Sequence, residues 1–418
     1  MKLLGRRLQS RWGTVLIFLA VLGPGMITAN VDNDAGGITT YSLAGAQFGN
    51  KLLWTLIPIT IALIVVQEMC ARMGAVTRKG LADLIRENFG VKLTFFLMVG
   101  LLLADMGNTC AEFSGVAASC EIFGISKYIS VPLGAFAVWW LVLKGTYRSV
   151  EKVFLTACVF YVSYILSGLL AKPEWGGVLH DTVKPTFEFS GPYIAMFVGV
   201  IGTTIAPWMQ FYLQAAVVDK GVTVRDYKFS RLDVISGCVI TDIVAFFIIV
   251  ACSATLFAHH VNIETAKDAA EALRPLAGNY CAYLFAFGLF NAGLFSASIL
   301  PLATAYYVCE GMGWERGVDH RFHDAREFYM LYTALIVFGA GVVLIPQAPL
   351  LAIMFWSQVV NGVMLAPVLI LMLLLINRVD LMGNWVNGRI FNITAWVTTV
   401  IMVALTLVLV FQMLTGQG

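Results

Sequence analysis

A polar, glycine-broken run, Asp32-Asn33-Asp34-Ala35-Gly36-Gly37, interrupts a stretch that is otherwise apolar enough to cross a bilayer. Apolar residues run from Val15 to Ala29 before it, and a mostly apolar pattern resumes from Ile38 to Phe48. One membrane helix, broken near its middle, is predicted here. An uncompensated carboxylate near mid-bilayer costs roughly 2.5–3.5 kcal/mol on insertion scales, so it is kept where it has a partner or faces water. Consecutive glycines release the backbone from the helical ladder, and freed carbonyls at that depth must line a cavity or meet protein. These features predict a cation site; the competing reading is a kinked helix whose aspartates bind neighbouring side chains.

The rest of the chain supports a membrane setting. Its 418 residues are 59% apolar and 12% charged, the mean hydropathy is +0.82, and several apolar runs can span ~30 Å of hydrocarbon. An all-α polytopic membrane protein follows. A net charge of +2 leaves no nucleic-acid footprint. The eight cysteines (Cys70, Cys110, Cys120, Cys158, Cys238, Cys252, Cys281 and Cys309) lack metal-ligand spacing and read as small core residues. The basic N-terminus resembles a signal peptide, but no convincing small-residue cleavage site follows, so it is read as the entry to the first span.

Eleven spans are predicted: 15–48 (broken), 52–75, 93–122, 129–143, 153–171, 192–218 (broken), 232–258, 280–312, 327–346, 349–376 and 393–414. With the N-terminus in the cytoplasm, only Lys51, Lys127, Lys172, Lys184, Lys267 and Arg274 lie outside, and the other 21 of 27 Lys and Arg lie inside. That asymmetry sets the orientation and leaves Gly418 outside. The longer outer loops are 171–191 and 259–279, the second with an amphipathic helix pattern over 264–276. On the inner side, 72–92 reads as a helix capped by Thr77. No soluble domain, phosphate loop, nucleophile elbow or zinc-protease motif is present, which argues against an enzyme and against ATP as an energy source within this chain. No cofactor is expected.

A second break supplies a symmetry. In Ile201-Gly202-Thr203-Thr204-Ile205-Ala206-Pro207-Trp208, Pro207 removes a backbone donor and frees carbonyls in the preceding turn. This sixth span runs opposite to the first, as an inverted five-plus-five repeat requires. The first half-helices of both would end near the midplane, their carbonyl ends facing a shared point that suits a cation. An ordinary proline kink is the plainer reading of Pro207 alone.

Other polar residues sit inside spans. Asp105, Asn108, Thr109 and Glu112 share one face of the third span, where they line an aqueous path or pair with other helices. Gln358 and Asn361, a turn apart on the tenth, face the same choice. Glu68 and Arg72 read as a local ion pair, Asp242 and Glu310 as structural or gating residues, and His320 and His323 as solvated loop residues.

Several motifs carry a family resemblance along nearly the whole chain: Gly23-Pro24-Gly25, Ala44-Gly45-Ala46-Gln47-Phe48-Gly49, Gln67-Glu68-Met69-Cys70-Ala71-Arg72-Met73-Gly74, Lys79-Gly80-Leu81-Ala82, Ser357-Gln358-Val359-Val360 and Asp380-Leu381-Met382-Gly383. The chain resembles the Nramp family of divalent-metal transporters. The resemblance implies a LeuT-like fold, alternating access and a site between the first and sixth spans. It makes 1–414 one transmembrane transporter domain, with repeats 15–171 and 192–376 and an eleventh helix, 393–414.

Departures from the family pattern inform the expected cargo. The family's Asp-Pro-Gly-Asn aligns with Asp34-Ala35-Gly36-Gly37, and its Met-Pro-His with Ala206-Pro207-Trp208, so an amide and a thioether are lost. Losing the soft sulfur removes a bias toward transition metals, and two smaller side chains are expected to widen the site for a partly hydrated Mg²⁺. The pattern resembles the branch of Nramp-related magnesium transporters. The expected ligands are the Asp34 carboxylate, carbonyls of Asp34, Gly37, Thr203 and Ala206, and Gln358, with Asp105, Asn108, Thr109, Glu112 and Asn361 on the path or outer shell. The family's acidic pair aligns with Thr109 and Glu112, and its sixth-span histidines with Trp208 and Leu213, so uptake is expected to be passive, with Glu112 the residue that speaks against this. The expectation is a monomer in a prokaryotic plasma membrane importing Mg²⁺ and, secondarily, Mn²⁺. The alternatives are a proton-coupled Mn²⁺ or Fe²⁺ transporter, an Al³⁺ transporter, a Mg²⁺ channel, or a receptor or membrane enzyme.

Overall fold

The computed structural model describes residues 23–144, 152–153, 156–260, 263, 279–318 and 322–415, and all regular secondary structure among them is helical. The beginning of the first predicted span, the amphipathic segment 264–276 and His320 lie outside the described residues.

The broken first span consists of α1 (Pro24–Asn30), a 3-10 turn (Val31–Asn33) and α2 (Ala35–Phe48). It is followed by α3 (Leu53–Thr77), α4 (Leu81–Phe89), α5 (Val91–Ile122), α6 (Lys127–Lys144), α7 (Val162–Leu170) and α8 (Trp175–Val183). The second break separates α9 (Gly191–Thr204) from α10 (Pro207–Asp219). The chain continues through α11 (Tyr227–Cys252), α12 (Asn279–Met312), α13 (Arg326–Leu344), α14 (Leu350–Ile376), the short α15 (Val379–Met382) and α16 (Arg389–Thr415). Both predicted breaks are present.

Helix length and composition support fewer spans than the expected eleven. Among the described residues eight helices qualify, or nine if Thr156–Leu170 and Trp175–Val183, bent by 116°, are taken together. Part of the difference lies in Ala35–Thr77, a nearly continuous helical stretch of 43 residues. A single helix of that length would run roughly 65 Å, about twice the hydrocarbon core. Gly49, at φ 58°, and the 3-10 turn Gly49–Leu52 break it into α2 and α3.

The two broken spans form the centre. α1 and α2 pack on α11, α9 packs on α14, and α5 packs on α12. Small residues permit these approaches: a methyl group on Gly202 would overlap the Gln358 carbonyl and the Gly362 backbone. Close backbone packing of this kind substitutes for the hydrophobic drive that lipid cannot supply. Outward-facing Phe96, Leu133, Phe136, Val337 and Val400 are exposed, as the lipid-facing surface of a membrane bundle requires.

The inner helix predicted near 72–92 is α4, with a different start. Thr77 does not cap it: its hydroxyl donates back to the Met73 carbonyl at 2.7 Å, and Arg78 ends α3 in the left-handed region at φ 55°. Gly80 begins α4 instead. The expected Glu68–Arg72 pair is present at 3.2 Å.

Candidate metal-ion site

The first break has a specific backbone cause. Asp34 is extended (ψ 177°) and caps α2, its carboxylate accepting the Gly37 N–H at 2.5 Å. The Ala35 N–H donates to Glu112 at 3.1 Å. In an unbroken helix those two amides would serve the carbonyls of Val31 and Asn33, so the side chains of Asp34 and Glu112 hold the ladder open. The Asp32 carbonyl accepts instead from the Thr203 hydroxyl across the bundle, at 3.4 Å.

The second break mirrors this chemistry by a different route. The N–H of residue 207 would normally serve the Thr203 carbonyl, and proline has none. α9 therefore stops at Thr204, with Ile205 turning out of the helix (φ −121°, ψ 57°). Thr203 brings its hydroxyl to the first break, against the Asp32 carbonyl and Gly37, and its own carbonyl lacks the N–H that residue 207 would supply in an unbroken helix. Next to it the Thr204 hydroxyl bonds the Tyr41 phenol at 2.7 Å, which ties α9 to α2.

The third-span stripe is buried and divides by role. Glu112 lies within hydrogen-bond reach of Asp34 as well as of Ala35. Asn108 and Asn361 exchange amide hydrogen bonds at 2.9 and 3.1 Å, and Asn361 also donates to Gln358 at 2.9 Å. Gln358 reaches the glycine break, since a methyl on Gly36 would overlap its amide. A continuous amide chain thus runs from α14 to α5. Asp105 anchors its far end, accepting from Asn108, Thr304 and Tyr307 at 2.8, 2.8 and 2.9 Å. Thr109 stands apart: its hydroxyl donates to the Asp105 carbonyl, and its methyl faces Gly339 of α13.

Two site expectations change. Gly37 does not leave the room expected, because a Cβ there would stand 2.8 Å from Thr203 Oγ1 and 3.2 Å from Asp34 Oδ1. The absent side chain lets oxygens close in rather than opening a wider chamber. The Ala206 carbonyl already accepts the Met209 N–H at 3.2 Å, as the residue before a helix does, which weakens it as a ligand. Trp208 and Leu213 are fully buried. Sequence reasoning missed Asp233, whose carboxylate accepts the N–H groups of Gly23, Gly25 and Met26 at 3.2, 2.7 and 3.2 Å and so fixes the start of α1 from α11. A lone Asp in a span carries no signal for such a distant cap.

Comparison with known proteins bears on this arrangement. Residues 25–412 match the family described as Nramp, Natural resistance-associated macrophage protein-like. The chain belongs to the Nramp family. It is thus a multi-pass membrane protein of a transporter family and not an enzyme. It is 28% identical over 412 residues to the "Divalent metal cation transporter MntH" of Deinococcus radiodurans, covering 95% of this chain and 91% of that one. The protein of the same name from Bacillus subtilis is 26% identical over 94% of this chain and 92% of that relative. The fold is that of the Eremococcus coleocola manganese transporter (TM-score 0.77, 21% identity, 98% of this chain and 88% of that chain). A Na⁺-coupled sialic acid symporter shares it more loosely (TM-score 0.52, 10% identity, 93% and 94%).

Proposed function

We propose that this Nramp protein carries divalent metal cations across the membrane by alternating access, with the ion held where the two helix breaks meet, and that Mg²⁺ and Mn²⁺ are both substrates. The observation that carries the reading is the donor set. Asp34, the freed carbonyls of the first break and Thr203 present oxygen, and Gln358 turns its amide toward the glycine break, with no thioether, thiol or imidazole among them. Oxygen-only sets suit Mg²⁺, Ca²⁺ and Mn²⁺ over softer ions. Mg²⁺ is usually held by one or two carboxylates with retained water, and Asp34 and Glu112 bring two carboxylates to the first break. The eleven-span inverted repeat, the inner N-terminus, import as the direction and a monomeric state belong to the same proposal.

A second reading, proton-coupled uptake of Mn²⁺, is favoured by two observations. One of the similar structures named above is a manganese transporter, and Glu112 stands against Asp34, where two carboxylates in low dielectric cannot both ionise without a cation between them. Proteoliposomes holding a pH dye distinguish the two. Passive carriage predicts metal entry with no acidification above an Asp34→Ala control; acidification that follows metal entry and is lost in Glu112→Gln establishes coupling.

A further inference from the structure

A second pair of buried acids lies on the other side of the first break. Asp32, in the 3-10 turn Val31–Asn33, is 2% exposed, and Asp242, on α11, is 6% exposed. Neither oxygen of either carboxylate has a hydrogen-bond partner among the described residues. Asp242 is the charge that acts most strongly on Asp32, followed by Asp34, and no cationic side chain among the described residues pairs with either acid. The neighbouring polar groups do not neutralise them. The Thr60 hydroxyl beside Asp242 donates to the Leu56 carbonyl at 2.7 Å, and Tyr41, near both acids, is bonded to Thr204.

A third buried, unpartnered oxygen belongs to the same turn as Asp32. Asn33 is fully buried, and its Nδ2 is held by the hydroxyl and carbonyl of Thr241 at 2.6 and 3.0 Å, directly beside Asp242 in sequence. Its Oδ1 is left without a donor. Buried polar oxygens are nearly always paired, and buried carboxylates are paired or coordinate a cation. Five orphaned oxygens on one turn and the facing helix are therefore a ligand's worth of acceptors.

We propose that Asp32, Asp242 and Asn33 form a second cation site, separate from the one at Asp34, that takes a hard divalent cation such as Mg²⁺. Two carboxylates match a divalent charge, and an oxygen-only set selects a hard ion. Cys238, a turn before Asp242, is near both acids, but no three acid, cysteine or histidine side chains group at metal-binding distance among the described residues, so the thiol is outside the set. The two sites share one turn: the Asp32 side chain serves the second and its carbonyl, bonded to Thr203, faces the first. The inference deepens the transport reading, since an ion at Asp32–Asp242 would stand next in line to the ion at Asp34.

Equilibrium dialysis of the purified full chain against MgCl₂, with bound metal counted by mass spectrometry, tests it. Two Mg²⁺ per chain are expected, falling to one in Asp242→Asn, Asp32→Asn or Asp34→Ala, and to none in Asp34→Ala/Asp242→Asn. Two independent variants guard against a folding loss in one, and each is checked by size-exclusion profile. A single Mg²⁺ that survives Asp242→Asn and Asp32→Asn but disappears in Asp34→Ala overturns the second site while leaving the first. A single Mg²⁺ kept in Asp34→Ala and lost in Asp242→Asn supports the second site and overturns the reading at Asp34. Binding of ²²Na⁺ in place of Mg²⁺, lost in Asp242→Asn, overturns the divalent class.

Discussion

Asp34 has two duties, and they separate experimentally. It is the N-cap of α2 and, in the proposed site, the charged member of the oxygen set, and loss of an N-cap side chain costs about 0.5–2 kcal/mol. Asp34→Ala is expected to insert and fold with a melting temperature lowered by a few degrees, while Mg²⁺ uptake falls to background. Unchanged uptake by a folded variant would remove Asp34 from the site. Gly37 gives the opposite kind of test. Because a Cβ there meets Thr203 Oγ1 at 2.8 Å, Gly37→Ala overpacks the centre, a change that costs about 1–3 kcal/mol. Thermal unfolding should show that loss together with several-fold weaker uptake; a stable, active Gly37→Ala protein would restore the wider chamber that the sequence suggested. The carboxylate was legible because an Asp among glycines in an apolar run needs a reason. The crowding of Gly37 by the Thr203 hydroxyl was not, since it depends on how closely two segments 171 residues apart approach each other.

At the scale of elements, each break has its own cause and its own probe. Pro207 frees the Thr203 carbonyl by lacking an N–H, so Pro207→Ala returns a donor to it and extends α9. Weaker Mg²⁺ binding with an intact size-exclusion profile is the expected result, whereas unchanged affinity would mean that this carbonyl does not bind the ion. The same proline was readable directly from sequence, as were both broken helices and the polar stripe on α5. The start of α4 was not, because Thr77 satisfies its own helix before it can cap the next. α4 is held by charge: Arg316 pairs with Asp83 at 3.0 Å and with buried Glu310 at 2.9 Å, and Arg86 pairs with Asp83 at 3.0 Å. Removing one partner of a buried pair strands the other at a cost of about 3–5 kcal/mol. Arg316→Gln should therefore destabilise the protein markedly, and Arg316→Gln/Glu310→Gln should recover part of the loss. Equal melting temperatures for the three proteins would show that the network contributes nothing to stability.

Over the whole molecule, the proposed site lies between a cavity toward one end of the bundle and a belt of ion pairs toward the other. A cavity of about 660 Å³ is bounded by Gln47, Glu121, Lys127, Leu351 and Trp356, and a void of only about 10 Å³ among Ile38, Thr39, Ser42, Phe285 and Leu289 lies beyond it. Ile38, Thr39 and Ser42 of α2, the helix that Asp34 caps, pack against Phe285 and Leu289 with little space left among them. Such a barrier on one side and the Arg316–Glu310–Asp83 network on the other fit a carrier that opens one side at a time, rather than a continuous pore. The most direct measurement is Mg²⁺ influx into proteoliposomes containing the purified protein and a Mg²⁺-sensitive dye, with Mn²⁺ and Ca²⁺ assayed in parallel. Saturable entry of Mg²⁺ and Mn²⁺, both lost in Asp34→Ala, is the predicted result. Entry of Mn²⁺ with no entry of Mg²⁺ would contradict it, and would show that an oxygen-only site does not suffice to admit the harder ion.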